Sequence, residues 1–269
     1  MKKVIFILSL CLPLLIGCKE DESKEIQTDL TIEAQEIYGA SSALSEPLFF
    51  VYFGYENYKN LDSIPLPGCP EILVDDSLKQ VRLNFKASED CTLSEVYVRS
   101  GEIILNYDSI SNVPDTKITL NYNSYAYGPH SLSGSRTFEL DEDSVSHEKF
   151  ENLLVNYGSD VSSEISGEYT HTLIITDEEL SQISSLGQIK GRNPAGRKIE
   201  INLISPKIQS KSCFSQNLML PSGGKESWLV QRGESTTASY AVTYDPVSTC
   251  DSNVFAVLPD GKTLLLNPE

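Results

Sequence analysis

The sequence predicts a mainly β protein, an antiparallel β-rich sandwich or meander with a short N-terminal helix. After residue 46 the chain is a succession of short segments rich in Val, Ile, Thr, Tyr and Phe, separated by Gly, Pro, Asn, Asp and Ser. This composition is typical of strands joined by turns. Asp260-Gly261, between two apolar runs, is a strong hairpin signal. Before these segments, residues 31–44 place apolar residues at helical spacing.

The helix over residues 31–44 is the first predicted element. Ala34, Ile37 and Leu44 fall near one face at a period of 3.6 residues. Ser41 interrupts that face, and Gly39 lowers the helix propensity. We therefore expect a short helix with one moderately apolar side.

The predicted strands follow in chain order. Ser100-Gly101 indicates a turn or a bulge within one of them. Thr176 with Glu179 has the spacing of a capping box and predicts the start of a short helix. The strand segments are residues 48–53, 79–86, 96–107, 117–127, 132–140, 150–157, 166–176, 197–205, 226–231, 236–244, 253–258 and 262–266.

The N-terminus has the pattern of a lipoprotein signal peptide. Lys2-Lys3 precedes an apolar run over residues 4–16, which is too short for a transmembrane helix. The run ends in Leu15-Ile16-Gly17-Cys18, which resembles a lipobox. We therefore predict a signal peptide over residues 1–17, cleavage before Cys18, and acyl chains on the Cys18 thiol that hold the protein to a membrane.

A charged segment over residues 18–30 follows the predicted lipidation site. Lys19, Glu20, Asp21 and Glu22 come directly after Cys18, and a segment with few apolar residues is expected to be a solvated tether. The pattern also resembles the surface-export signal of Bacteroidota lipoproteins. The sequence thus predicts an outer-membrane protein that faces the cell exterior, with a plain hydrophilic linker as the alternative.

The net charge of −17 restricts the partners that the protein can bind. An acidic surface repels nucleic acid and anionic lipid headgroups, and it favours solubility outside the cell. We therefore expect no nucleic-acid partner. The expected partners are the membrane, through the acyl chains, and a glycan or protein ligand.

The cysteines predict disulfides. Export would remove Cys11 with the signal peptide and place the remaining thiols in an oxidising compartment. Beyond Cys18, four cysteines allow three pairings, and we favour the pairing between sequence neighbours. The two predicted bridges are Cys69–Cys91 and Cys213–Cys250.

The ectodomain, residues 31–269, contains an internal echo. A strand ending at Phe85, then Cys91 and a Gly101 segment, resembles a strand ending at Tyr244, then Cys250 and a Gly261 segment. One interpretation is a β-meander unit used twice, in related halves over residues 46–160 and 161–269. The alternative is that short hairpins resemble one another.

Several of these blocks resemble an uncharacterised group of secreted and lipidated Bacteroidota proteins, over about residues 69–269. This chain departs from the group's pattern because Glu102 replaces a Lys, Ser248-Thr249 replaces a Gly, and Asn84-Phe85-Lys86 lacks an Asp and a Gly. The resemblance implies the fold and the cellular location, and it implies no enzymatic activity. It rests on Cys69-Pro70, the strand ending at Phe85, Cys91, residues 99–103, Tyr122 to Tyr127 followed by Ser133-Gly134, residues 249–253, and Asp260-Gly261-Lys262.

The residue types that carry catalysis are present without a catalytic pattern. His130, His147 and His171 are scattered and are expected in loops or on strand surfaces. The acidic run at residues 141–143 predicts a solvated turn, with a Ca²⁺ site as the alternative. We therefore predict no catalytic residue, no metal site and no cofactor.

Two tyrosines are the candidate ligand contacts. Strict alternation along residues 121–127 places Tyr125 and Tyr127 on one strand face with Asn121 and Asn123. Such a face could stack on a sugar ring, and the alternative is a cross-strand aromatic pair that stabilises the sheet. The sequence thus favours a cell-envelope lipoprotein that is a surface binding or structural module. The alternative is a carboxylate-dependent glycan hydrolase.

Overall fold

The computed structural model describes residues 29–61, 66–86, 98–109, 116–158, 161–218 and 220–267. Within these ranges the helices are α1 (Leu30–Ser45), α2 (Leu48–Tyr52), α3 (Tyr55–Lys59) and α4 (Lys211–Phe214). The strands are β1 (Glu71–Asp75), β2 (Gln80–Phe85), β3 (Arg99–Tyr107), β4 (Lys117–Tyr127), β5 (His130–Leu140), β6 (Val145–Tyr157), β7 (Ser162–Thr176), β8 (Glu179–Arg192), β9 (Lys198–Ser205), β10 (Lys207–Ser210), β11 (Gly224–Arg232), β12 (Thr236–Pro246), β13 (Ser252–Val257) and β14 (Thr263–Leu265).

The strands form one antiparallel sheet in nearly sequential order. Neighbours pair from β1 to β9 and from β11 to β14, with β9 paired to β11, while β10 pairs with β8. Consecutive antiparallel strands need only short turns, so each hairpin signal in the sequence becomes one step of the meander. The predicted mainly β, antiparallel fold with an N-terminal helix is confirmed, and the strands of the described residues form one open sheet. The proposed related halves, residues 46–160 and 161–269, stay a prediction.

Helix α1 packs its small apolar side chains against the inner face of the sheet. The Asp29 carboxylate caps the helix by accepting hydrogen bonds from the backbone N–H groups of Thr31 and Ile32. Ala34, Ile37 and other apolar residues of the helix are buried in the main core. The predicted helix over residues 31–44 is therefore confirmed, with one further residue at each end.

The predicted strand over residues 48–53 is wrong, because this segment forms α2. Phe49, Phe50 and Val51 are all buried. The ring of Phe214 stacks on Phe49 and meets Phe50 edge-on, at centroid distances of 5.0 Å and 5.1 Å. A continuous apolar run of this length has no periodicity that distinguishes a buried strand from a buried helix, and here the aromatic packing favours the helix.

The helix predicted to start at Thr176 is also wrong. Thr176 ends β7, Glu179 begins β8, and Asp177 and Glu178 form the two-residue turn between them with φ values of 53° and 65°. Two positive φ values match the right-handed twist of a hairpin. Strand β8 lacked a sequence signal because its polar residues hide the alternation. Residues 71–75, 207–210, 55–59 and 211–214 likewise gave no signal for β1, β10, α3 and α4.

Two bulges change which side chains face inward. The bulge predicted at Ser100-Gly101 is confirmed by a register shift between β3 and β4 and by a Gly101 φ of 76°. A Cβ at Gly101 would lie 2.0 Å from the Ser124 carbonyl oxygen, so only glycine fits there. Ser124 itself has a φ of 52° and lies at a second register shift, between β4 and β5.

The structure contains the predicted Cys213–Cys250 disulfide, which joins α4 to the segment before β13 across a sequence separation of 37. Cys69 is also disulfide-bonded. Its predicted partner Cys91 lies outside the described residues, so that pairing stays a prediction. The predicted signal peptide, Cys18 and the Lys19–Glu22 segment lie outside them too. In the part of the chain that the structure describes, no helix is long and apolar enough to cross a membrane.

Candidate functional site

The inner face of the sheet carries buried charges as well as apolar side chains. Glu148 on β6 accepts a hydrogen bond from Nε of Arg136 on β5 at 2.6 Å. Its other oxygen lies 2.8 Å from Nε2 of His171, whose Nδ1 lies 2.8 Å from the Ser185 hydroxyl. Burial alone would raise the pKa of Glu148, but Arg136 and His171 together hold it below its ordinary value. The sequence prediction that His171 lies on a surface is therefore wrong.

Helix α1 is joined to the sheet by three further buried polar clusters. Glu33 accepts hydrogen bonds from Asn193, Arg197, Arg232 and Tyr240. The three clusters share one design, in which a carboxylate is surrounded by donors from several strands. They centre on Glu33, on Glu226 with Ser41, Lys207 and Trp228, and on Glu46 with Arg99 and Tyr125.

These clusters have a structural role and offer no site for a ligand. Glu33, Glu46, Glu148 and Glu226 are each at most 3% exposed. Their oxygens are already hydrogen-bonded to groups of the chain. A satisfied buried network fixes how helix and sheet pack and has no surface for a partner.

The proposed ligand contact at Tyr125 is wrong. The Ser124 bulge adds a residue to β4, so Tyr122 and Tyr125 both point inward, with ring centroids 5.7 Å apart. Tyr125 is fully buried and its hydroxyl donates to Glu46 at 2.7 Å. Tyr127 is half-buried, with the Arg99 guanidinium carbon 4.9 Å from its ring centroid. The alternative interpretation is a cross-strand aromatic pair. Tyr125 pairs with Leu132 on β5, and its aromatic contacts among the described residues are Tyr122 of its own strand and, edge-on at 5.5 Å, Phe85 of β2.

The outer face of the sheet, opposite α1, carries an open depression of about 600 Å³. It spans strands β6 to β12 apart from β10, and polar side chains dominate its lining. Leu229 is half-buried there and provides an apolar patch. The lining residues are Asn152, Glu164, Ser166, Lys190, Gly191, Arg192, Lys198, Ile199, Glu200, Leu229, Gln231, Glu234, Ser235 and Thr237.

Strand register arranges the charges of this depression in cross-strand rows. In one row Glu164, Arg192 and Lys198 lie opposite one another on β7, β8 and β9. In the next row Ser166, Lys190 and Glu200 do so. Side chains of paired residues on one face lie about 5 Å apart, so each row is a continuous polar strip.

A second depression of about 420 Å³ adjoins the first on β7, β8 and β9. Gln188 and Asn202 in its lining are two residues from Lys190 and Glu200, on the same strand faces. His147 and Lys149 of β6 line its other side. We call the two depressions together the outer groove.

The outer groove contains cations that form no ion pair within 4.0 Å with a described carboxylate, although carboxylates lie opposite several of them on the neighbouring strands. Among the described residues, most lysines and arginines form an ion pair within 4.0 Å. The described ones that form none are Lys79, Lys149, Lys190, Arg192, Lys198 and Lys225. Of these, Lys149, Lys190, Arg192 and Lys198 line the outer groove.

Sequence reasoning missed this site although a signal was present. Residues 190–198 read KGRNPAGRK, a basic segment within an acidic chain. Lys190 and Arg192 have strand alternation, so both point to one face, and the hairpin at residues 193–197 returns Lys198 beside them. Charge patterning within the chain, compared with its overall charge, indicates such a patch.

The other predicted sites lie away from the outer groove, apart from His147. The acidic run at residues 141–143 is a turn in which Asp141 accepts backbone hydrogen bonds from Asp143 and Val145. No group of metal-binding side chains is present among the described residues. Comparison with protein-family models, curated proteins and solved structures found no match to this chain.

Proposed function

We propose that this protein is a lipid-anchored cell-envelope binding module whose outer groove holds a polar, extended ligand of the glycan class. The observation that carries this proposal is the groove itself. It presents hydrogen-bonding side chains from six strands on the outer face of the sheet, opposite helix α1. The lipobox sequence that ends at Cys18 supports attachment of the protein to a membrane.

The lining has the chemistry that sugar hydroxyls require. Carboxylates such as Glu164 and Glu200 accept hydrogen bonds, while Gln188, Asn202 and Gln231 both donate and accept. Leu229 offers an apolar contact to the C–H face of a ring. The lining is therefore mainly polar with an apolar contact, which suits a ligand rich in hydroxyl groups.

The shape of the groove favours an extended ligand. The two depressions follow the strand direction, and their side chains occupy successive same-face positions about 7 Å apart along β8 and β9. A polymer lying along these strands would meet a polar side chain at each step. Both depressions are open, which suits an internal stretch of a chain.

The rigid scaffold supports binding without a conformational change. Paired strands hold the lining on both sides, and the buried Glu148 and Glu226 clusters fix the inner face of the same strands. Sites on paired strands are held more firmly than sites on loops. The expected ligand therefore meets a preformed surface.

A substitution that fills the outer groove with a large side chain tests this proposal. Thr237→Trp places a large ring in the first depression, whereas Ala241→Trp places the same ring at an exposed position of the same β12 face outside the lining. Binding of the purified protein is measured against a panel of acidic and neutral polysaccharides. We expect Thr237→Trp to abolish binding and Ala241→Trp to leave it unchanged. No binding to any polysaccharide, or equal binding by both variants, would contradict the proposal.

A further inference from the structure

We infer that the ligand of the outer groove is an acidic polysaccharide whose sugars carry carboxylate groups. This inference rests on the proposed function and specifies its ligand class. It is based on the cations Lys149, Lys190, Arg192 and Lys198, which line this one face and form no ion pair with another described residue.

The clearest feature is a pair of like charges. Arg192 and Lys198 are direct partners across β8 and β9, and both are exposed. Like charges directly opposite each other on a sheet face destabilise the pairing. A carboxylate bound between them would remove that repulsion and form charge-assisted hydrogen bonds with both side chains.

Carboxylates lie opposite several of these cations, Glu164 beside Arg192 and Glu200 beside Lys190, but the described residues form no ion pair within 4.0 Å at these positions. Glu168 accepts a hydrogen bond from Gln188 at 3.0 Å, and Glu200 accepts one from Asn202 at 3.0 Å. Arg192 uses one guanidinium nitrogen for the Gly196 carbonyl at 2.8 Å. Amide groups therefore position the acidic side chains, and the cationic groups keep donors for an incoming anion.

Hydrogen-bond donors distinguish an acidic glycan from DNA. Glu164 and Glu200 alternate with the cations in the rows of the groove. The net charge of −17 repels both kinds of polyanion. An acidic sugar also carries hydroxyls, which can donate to Glu164 and Glu200, whereas the phosphodiester backbone of DNA carries no donor.

The test compares two polymers with the same backbone. Polygalacturonate carries a carboxylate on each sugar, and its fully methyl-esterified form carries none. Binding of each to the purified mature protein is measured by calorimetry at low and high salt. We expect polygalacturonate to bind, the ester to bind at least about tenfold more weakly, and added salt to weaken the complex.

Variants assign the effect to the groove. Arg192→Ala with Lys198→Ala should weaken polygalacturonate binding at least about tenfold, because charge-assisted hydrogen bonds are lost. The control is Lys225→Ala. Lys225 is an exposed cation outside the groove, so its removal should leave polygalacturonate binding unchanged. Circular dichroism of each variant checks that the fold is retained.

Each other outcome overturns the inference in a distinguishable way. Equal binding of the acid and the ester overturns the carboxylate assignment and leaves the proposed function standing. Binding of a neutral polysaccharide without binding of polygalacturonate likewise overturns the carboxylate assignment and leaves the proposed function standing. Equal or stronger binding of single-stranded DNA overturns the glycan class. Equal loss in the Lys225→Ala variant overturns the placement in the groove.

Discussion

Glu148 and Arg136 form an ion pair in the interior of this protein, with 2.6 Å between a carboxylate oxygen and Nε and with both side chains at most 1% exposed. Strand β6, which carries Glu148, also carries His147, Lys149 and Asn152 of the outer groove. The ion pair therefore holds the inner face of a strand whose outer face belongs to the proposed site.

Removal of one partner of this pair should strongly destabilise the fold. In Glu148→Gln the Arg136 charge stays buried without a carboxylate, which costs about 3–5 kcal/mol. The matched control is Glu139→Gln, because Glu139 pairs with Lys117 on the surface and such pairs contribute about 0–1 kcal/mol. Denaturant unfolding measures both variants. A loss in Glu148→Gln no larger than in Glu139→Gln would contradict this role.

The Glu102–Arg82 pair should contribute a defined pH dependence. The hydrogen bond from Arg82, with that from Asn123, holds the pKa of Glu102 below its ordinary value of 4.5. The unfolded chain then binds more protons at acid pH, so this stabilisation is complete above the ordinary value and is lost as pH falls through the folded pKa. The difference in unfolding free energy between the native protein and Glu102→Gln should therefore shrink from about pH 6 to about pH 3. A difference that stays constant over this range would show that the pKa of Glu102 is not lowered.

The Cys213–Cys250 disulfide should stabilise the C-terminal part of the sheet. It closes a loop across a sequence separation of 37, and the chain-entropy model gives about 4 kcal/mol for that length. The double variant Cys213→Ala/Cys250→Ala should lose most of that stability in thermal unfolding under non-reducing conditions. Peptide mapping of the same sample tests the predicted Cys69–Cys91 bridge. A loss below about 1 kcal/mol would contradict the entropic account.

Lipidation at Cys18 is a separate prediction from the sequence. Cys18→Ala removes the thiol that would carry the acyl chains, so the protein should no longer incorporate a fatty-acid analogue or sediment with membranes. Cys11→Ala is the control, because Cys11 lies in the predicted signal peptide. Undiminished labelling of the Cys18→Ala variant would remove the lipobox from the account.

Local patterns predicted much of the sheet. Strand β4 has the bounds that were expected, and the turn at Asp260-Gly261 joins β13 to β14. In both places the side-chain alternation or the turn chemistry acts within a few residues. The α2 segment was harder to predict because its apolar rings pack on Phe214, which is distant in sequence.

The candidate site was harder to predict because one residue changed the face of a strand. Alternation placed Tyr125 outward, and the bulge at Ser124 turned it inward onto Glu46. The bulge at Ser124 lies against the Gly101 backbone of the neighbouring strand β3, so the residues around Ser124 alone give no signal for it. The groove likewise forms only when the register brings Arg192 beside Lys198.

A lysine footprint tests whether the ligand binds in the outer groove. Acetylation rates of exposed lysines are compared by mass spectrometry with and without polygalacturonate. We expect protection of Lys149, Lys190 and Lys198, which line the groove, and unchanged rates at Lys225 and Lys262, which lie outside it. Binding that leaves the three groove lysines as reactive as Lys225 and Lys262 would contradict the account.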